Sequence, residues 1–212
     1  MADREGFLVI DEIPAVGLFF GKDIEKRLTL CKRYLSELIA RDKNHPSVII
    51  WSVANEPHSV YPEAEAFFKE LYEYAKRLDP SRLITLVSML GVKEKCLKYF
   101  DIICLNRYYG WYTEPGQLDL ACQKLEKELE TLFELYKKPI IITEFGAGAV
   151  AGLHNYPPKM FTEEYQAEFI RRYCEVFESK SYIAGEHVWC FADFKTAQEP
   201  LRVVLNRKGV FT

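Results

Sequence analysis

Short runs of consecutive apolar residues alternate along this chain with longer segments that have helical periodicity. Residues 48–51 and 140–142 are apolar throughout, whereas residues 24–41 repeat apolar side chains along one helical stripe. Strands that are apolar on both faces are buried on both faces, and intervening helices connect such strands in parallel. The order of these segments therefore predicts a parallel sheet that is covered by helices.

Six such strands and five helices are predicted. The strands cover residues 7–10, 48–51, 83–87, 101–106, 139–143 and 187–191, and the helices cover 24–41, 63–78, 93–99, 118–137 and 163–178. Six units are too few to close an eight-stranded barrel, and an open doubly wound sheet would also accommodate them.

Polar side chains at the ends of several strands favour the barrel, because barrels build active sites from such positions. No glycine-rich phosphate-binding motif follows a strand, which disfavours the nucleotide-binding open sheet. We therefore expect an α/β fold of the TIM (β/α)8 barrel type, incomplete, in a single domain over residues 1–212. The strand-end residues are Asp11, Glu12, Asn55, Glu56, Asn106, Glu144 and Trp189.

Composition excludes several classes of partner. The 212 residues are 49% hydrophobic and 28% charged, with a net charge of −3, so neither nucleic acid nor an anionic membrane is expected to bind. The six cysteines have no metal-ligand spacing, and no cofactor or metal is expected. Scattered cysteines and an N-terminal segment without signal-peptide character favour a reduced, cytoplasmic setting.

Two glutamates, Glu56 and Glu144, each end an apolar run. Burying a carboxylate without a compensating charge or hydrogen bond costs roughly several kcal/mol of folding free energy. A pair of carboxylates across one bond is the apparatus of glycoside hydrolysis, with a separation of about 5 Å for retention and about 6.5–9.5 Å for inversion. A capped or ion-paired strand-end glutamate is the structural alternative for each.

Residues 106–112 combine four aromatic rings with Asn106 and Arg107 directly after a strand. Sugars present C–H faces to aromatic rings and hydroxyls to amides, so this segment has the chemistry of a sugar site. A packed loop is the alternative, and Trp189 is either a sugar platform or a core residue. Near the C-terminus, Arg202, Asn206 and Lys208 suit a carboxylate or phosphate ligand, although an exposed basic tail is the simpler interpretation of these three alone.

Taken together, these motifs resemble the catalytic domain of the β-glucuronidases of glycoside hydrolase family 2. The resemblance covers nearly the whole chain and rests most specifically on residues 106–112 and on the Asn-x-Lys motif at 206–208, while Asn-His-Pro-Ser-Val at 44–48 and Asn-Glu-Pro at 55–57 are common to the family. It implies a retaining β-glucuronide hydrolase with a (β/α)8 barrel, no cofactor, and a glucuronide or glycan substrate, and it leaves a homo-oligomer possible.

The resemblance also implies roles for individual residues. Glu56 would be the acid/base and Glu144 the nucleophile. Asn55 would bind the hydroxyl next to the anomeric carbon. The remaining substrate-binding residues would be Tyr108 beside the nucleophile, Asn106, Tyr112 and Trp189 lining the sugar pocket, and Arg202, Asn206 and Lys208 facing the uronate.

Family members carry further domains and two barrel strands before the point at which this chain begins, and a helix after its last residue. A barrel without them would expose strand edges, so we expect the isolated chain to be weakly active or inactive. Two alternatives stay open. One is a sister enzyme of the family that acts on β-galactosides, β-mannosides or galacturonides, and the other is a non-catalytic assembly module.

Overall fold

The computed structural model describes residues 1–211 and divides into two compact units. The first unit comprises Met1–Cys104 with Tyr136–Lys138, and the second comprises Leu105–Leu135 with Pro139–Thr212. The predicted single domain over residues 1–212 stays a prediction.

Strands and helices alternate along the described residues, as predicted. The strands are β1 (Val9–Glu12), β2 (Val48–Asn55), β3 (Leu83–Ser88), β4 (Ile103–Asn106), β5 (Ile140–Phe145) and β6 (Ile183–Val188). The α-helices are α1 (Ala2–Glu5), α2 (Ile24–Asp42), α3 (Pro62–Leu78), α4 (Leu118–Tyr136) and α5 (Glu163–Glu178), and two short 3-10 helices cover Gly91–Lys93 and Cys96–Tyr99.

The first unit contains three parallel strands in the order β1, β2, β3. The central strand, β2, is buried along most of its length, and the helices α2 and α3 pack against each other, with the Ser36 and Tyr74 hydroxyls 2.7 Å apart. Trp51 is fully buried in β2 and donates its indole N–H to Asp79 Oδ2 at 3.0 Å. The carboxyl ends of the three strands therefore lie at one edge of a well-packed layer.

In the second unit, β5 and β6 are parallel neighbours. Helix α5 buries a row of aromatic rings, in which Phe169 stacks on Tyr173 at 4.3 Å between centroids and Tyr173 stacks on Phe145 of β5 at 5.7 Å. Thr162 caps the N-terminus of this helix, since its Oγ1 accepts the Tyr165 N–H at 3.2 Å. This packing fixes the carboxyl end of β5 against α5.

Several strand bounds differ from the predictions, since β2 extends to Asn55, β5 extends to Phe145 and β4 begins only at Ile103. Three further elements are wrong in position. The first strand begins at Val9 rather than residue 7, because Phe7 and Leu8 are exposed. The last strand is Ile183–Val188 rather than 187–191, since the Cys190 N–H bonds to Lys208 O and no longer to β5. Residues 93–99 do not form one helix, because the side chain of Glu94 turns inward between two 3-10 segments and accepts the Cys96 N–H at 2.9 Å.

Two general features of the described chain bear on its surroundings. Within residues 1–211, no helix combines the length and the apolar character that a bilayer span requires. All six cysteines are free, with Cys104 fully buried and Cys190 only partly buried. The expectation that Cys190 lies inside a strand is wrong, because β6 ends two residues before it.

Candidate active site

Asn55 and Glu56 lie at the carboxyl end of β2, in the first unit. The Asn55 N–H donates to Ala15 O at 3.1 Å, and the Glu56 N–H donates to Val87 O at 2.9 Å. Glu56 adopts a left-handed backbone conformation with φ of 49°, which costs free energy for a residue with a side chain. The backbone is thus bonded on both sides and holds Glu56 where the strand ends.

A second carboxylate, Glu12, lies at the carboxyl end of β1, on the same edge of the sheet. Glu12 is aligned with Ser52 of β2 and accepts the Ser52 hydroxyl at 2.7 Å. Burial raises the pKa of Glu12, the Ser52 hydrogen bond opposes this, and the charge of Glu56 raises the pKa further. Glu12 is one of the strand-end residues that favoured the barrel, but no catalytic or substrate-binding role was predicted for it.

The second unit places Glu144 within β5, one residue before the strand ends, rather than after the strand as the sequence predicted. The Tyr108 hydroxyl donates to Glu144 Oε2 at 2.7 Å, and the Arg107 N–H donates to the Glu144 carbonyl at 2.8 Å. Beside them, the Thr143 hydroxyl donates to Asn106 Oδ1 at 2.8 Å. The segment after β4 is therefore bonded to β5 around Glu144.

Arg202, Asn206 and Lys208 come together in this unit with Tyr112. The Lys208 ammonium donates to the Tyr112 hydroxyl oxygen at 2.8 Å, and the Arg202 guanidinium donates to the same atom at 2.9 Å. Asn206 Oδ1 accepts the Lys208 backbone N–H at 3.2 Å. These four residues are named here the cation cluster.

Lys208 is 1% exposed, so the interpretation of this region as an exposed basic tail is wrong. Its ammonium lies 4.6 Å from the ring centroid of Tyr112, 5.2 Å from that of Trp111 and 5.6 Å from that of Tyr108. Among the described residues, no carboxylate forms an ion pair with it. Burial, and then the charge of Arg202, lower the pKa of Lys208 to about 8.

Tyr108 connects the carboxylate of Glu144 with the cation cluster. Its hydroxyl is bonded to Glu144, while its ring packs edge-on against Tyr112 at 5.2 Å and lies beside the Lys208 ammonium. Trp111, which was not among the predicted site residues, is a further ring beside Lys208 and lies within the aromatic segment that the sequence singled out. A carboxylate and a buried ammonium thus both contact one tyrosine.

Trp189 follows β6 and is partly buried. Its backbone N–H donates to Phe145 O at 2.8 Å, and its indole ring packs edge-on against the Phe194 ring, with 6.0 Å between the centroids. The approach of the two backbones requires a glycine at Gly146, where φ is 156° and an added Cβ would lie 2.4 Å from the Trp189 carbonyl oxygen. The chain after β6 is consequently held against the end of the strand that carries Glu144.

Within residues 1–211, no group of three or more histidine, cysteine, aspartate or glutamate side chains has an arrangement that could hold a metal ion.

Known proteins resemble this chain along its whole length. The model of the TIM barrel domain of the family 2 glycosyl hydrolases matches residues 1–212. A β-glucuronidase of Paenibacillus borealis is 49% identical over 100% of this chain, which spans 37% of that relative. A solved structure of β-D-glucuronidase from Dictyoglomus thermophilum is 48% identical with a TM-score of 0.94, over 99% of this chain and 38% of the other.

A further structure shows a relative with a bound molecule. It is the β-glucuronidase of Ruminococcus gnavus in complex with D-glucaro-δ-lactam, and it is 41% identical with a TM-score of 0.92 over 99% of this chain and 37% of the other.

Proposed function

The chain belongs to the family 2 glycosyl hydrolases, in their TIM barrel domain, and on that premise we propose that it carries the catalytic residues of a retaining β-D-glucuronidase. Membership confirms the predicted family resemblance and the predicted barrel fold class. The chain spans little more than a third of the relatives' length. The activity described below is therefore proposed for the intact protein that contains this chain.

The buried ammonium of Lys208 is the observation that carries the choice of substrate. A buried cation without a carboxylate partner is unfavourable by itself and gains most from an anionic ligand. The sugar of a glucuronide brings a carboxylate, whereas the neutral sugar of a β-galactoside or β-mannoside brings a hydroxymethyl group. The cation cluster therefore supports a uronide as the substrate, with Arg202, Asn206 and Lys208 binding its carboxylate.

In the first step of the proposed mechanism, the Glu144 carboxylate attacks the anomeric carbon and Glu56 protonates the departing oxygen. The bond from the sugar to the leaving oxygen breaks as the bond to Glu144 forms. The hydroxyl of Tyr108 supports this role, because a hydrogen bond to the carboxylate orients it and stabilises its ionised form.

In the second step, Glu56 acts as a base, takes a proton from water, and the resulting hydroxide displaces Glu144 with net retention. Asn55 would bind the hydroxyl next to the anomeric carbon, and Asn106, Tyr112 and Trp189 would line the sugar. The left-handed backbone at Glu56 supports a functional role there, since strained residues concentrate at active sites. A cytoplasmic location and a homo-oligomer stay predictions from the sequence.

A turnover assay on the intact protein that contains this chain tests the proposal. We expect p-nitrophenyl β-D-glucuronide to be hydrolysed in preference to the matching galacturonide, galactoside and mannoside. Glu144→Gln and Glu56→Gln should each lower kcat by about 10³-fold or more, whereas Glu178→Gln, at an exposed site on α5, should leave it unchanged. Preference for a neutral glycoside, or full activity in Glu144→Gln, would overturn the assignment.

A further inference from the structure

Gln166 bridges two loop segments of the second unit with a single side-chain group. Its Nε2 donates to the carbonyl oxygen of Ala147 at 2.9 Å and to that of Gly209 at 3.2 Å. A carboxamide nitrogen has two hydrogens, so these two bonds use the whole donor capacity of the group. The two carbonyls belong to residues that are 62 positions apart in the chain and are both buried.

The base of this side chain is fixed by the start of α5. The Gln166 N–H donates to Thr162 O at 3.2 Å, and Thr162 Oγ1 accepts the N–H of Tyr165. Tyr165 is itself buried, and its hydroxyl donates to the Gly110 carbonyl oxygen at 2.5 Å. Because the first helical turn is capped and buried, the Gln166 amide is presented from a rigid position.

The two bridged segments are those that carry the proposed nucleophile and the proposed uronate ligand. Ala147 is three residues after Glu144, and Gly209 directly follows Lys208. A backbone hydrogen bond supports the same contact, since the Ala149 N–H donates to Arg207 O at 2.8 Å. The Lys208 segment is also bonded to the chain after β6, where the Cys190 N–H donates to Lys208 O at 3.0 Å.

The segment that carries Lys208 also packs closely against Asp193. A Cβ added at Gly209 would lie 2.3 Å from the Asp193 backbone nitrogen, and the Gly209 N–H donates to the Asp193 carboxylate at 2.9 Å. A glycine is therefore required at this approach, and the position of Lys208 depends on its backbone neighbours.

We propose that Gln166 is a positioning residue that sets the distance between the Glu144 carboxylate and the Lys208 ammonium, and thereby the selectivity for uronides. The inference rests on the proposed function. A glucuronide presents its anomeric carbon to one of these groups and its carboxylate to the other, so the two must be held at a separation that matches one sugar ring. Gln166 holds that separation through the two backbones and does not itself touch the substrate.

The test compares two ligands that differ only in the group that Lys208 would bind. D-glucaro-δ-lactam has a carboxylate where D-glucono-δ-lactam has a hydroxymethyl group. In the intact protein, Gln166→Met removes both bridging hydrogen bonds and should weaken the Kd for the glucaro-lactam about tenfold, which corresponds to about 1.4 kcal/mol of binding free energy. It should change the Kd for the glucono-lactam less than about twofold. Gln123→Met, at an exposed site on α4, is the matched control and should change neither.

A double-variant cycle separates positioning from a general loss of structure. If Gln166 acts through Lys208, its effect should disappear when Lys208 is already alanine, because two residues in one network are not additive. Equal weakening of both lactams, or full additivity with Lys208→Ala, would overturn the proposal. Gln166→Glu is a second variant of equal size that lacks the donors when ionised, and it should behave like Gln166→Met.

Amide hydrogen exchange tests the bridge independently of any ligand. Gln166→Met should speed exchange at the N–H groups of Ala149 and Cys190, which donate to the carbonyls of Arg207 and Lys208, and Gln123→Met should not. Unchanged exchange would refute the inference even if the protein is a glucuronidase. Faster exchange in a protein that binds both lactams equally would instead refute the proposed function.

Discussion

Two cations are buried in the second unit, and they are compensated in different ways. Arg107 is 5% exposed and forms a bidentate ion pair with Glu128, in which the Nε–Oε2 distance is 2.5 Å and the Nη2–Oε1 distance is 3.2 Å. Lys208 is 1% exposed and has a phenol oxygen and three aromatic rings around it instead of a carboxylate. The charge of Arg107 is already paired with a carboxylate of the protein, which we call a closed arrangement, whereas Lys208 would gain from an additional anion.

The difference distinguishes a structural charge from one that is available for a ligand. A buried ion pair with good geometry balances its own desolvation, whereas aromatic faces and a hydroxyl compensate a cation only in part. The lowered pKa of Lys208, to about 8, expresses that incomplete compensation. We therefore expect Arg107 to matter for folding and Lys208 for binding.

Arg107→Met gives the largest expected effect, on stability. Removing the guanidinium leaves the Glu128 carboxylate buried without this partner, which should lower the free energy of unfolding by about 3–5 kcal/mol in urea titrations. The control is the double variant with Glu128→Leu, which removes both charges and should recover most of the loss. A double variant no more stable than Arg107→Met would show that the pair is not the closed arrangement described.

Lys208→Met should have the opposite balance. We expect the Kd for D-glucaro-δ-lactam to weaken about 10²-fold, because a charged hydrogen bond contributes about 1.5–3 kcal/mol. The free energy of unfolding should stay equal or rise by about 1 kcal/mol, since an incompletely paired buried charge is replaced by an apolar side chain of similar size. The neighbouring cation serves as the control, and Arg207→Met should change the Kd less than about twofold.

A strong loss of stability in Lys208→Met, or equal weakening by Arg207→Met, would contradict the comparison between the two cations. The first result would make Lys208 a structural residue, and the second would make the effect a matter of net charge.

The smallest expected effect is a pH dependence of about tenfold. Lys208 is charged below its pKa of about 8, so binding of the glucaro-lactam should be strongest below pH 8 and about tenfold weaker at pH 9. The Lys208→Arg variant, which keeps its charge, should show no change over that interval. The free energy of unfolding should change with pH in the opposite direction and increase above pH 8. The folded protein loses the buried charge of Lys208 from pH 8, whereas the unfolded lysine keeps its proton to about pH 10.4. A Kd that is equal at pH 7 and pH 9 in the wild type would contradict a titrating Lys208.

Much of the fold follows from local sequence signals. The bounds of α5 agree with the prediction at both ends, because Thr162 caps a segment whose aromatic residues recur at helical spacing. The last strand was misplaced because Trp189, Cys190 and Phe191 form an apolar run, whereas β6 itself alternates partly buried with exposed residues and contains a glycine. Local apolarity therefore located the buried strands well and the exposed edge poorly.

The candidate site depended much more on contacts between distant residues. The burial of Lys208 against Tyr112, which is 96 positions earlier, has no local sequence signal, and the chemistry of the basic residues alone favoured an exposed tail. The family resemblance supplied the expected role instead. Gln166 lies in an ordinary amphipathic helix, so only the positions of two distant carbonyls identify it.

The most direct test of the central claim is a crystal structure of the intact protein with bound D-glucaro-δ-lactam. The distance from the Lys208 Nζ atom to the nearest carboxylate oxygen of the ligand is the quantity to measure. We predict about 2.7–3.0 Å, the range of a charge-assisted hydrogen bond. A carboxylate that points to solvent, with Lys208 still bonded only to Tyr112, would contradict the account.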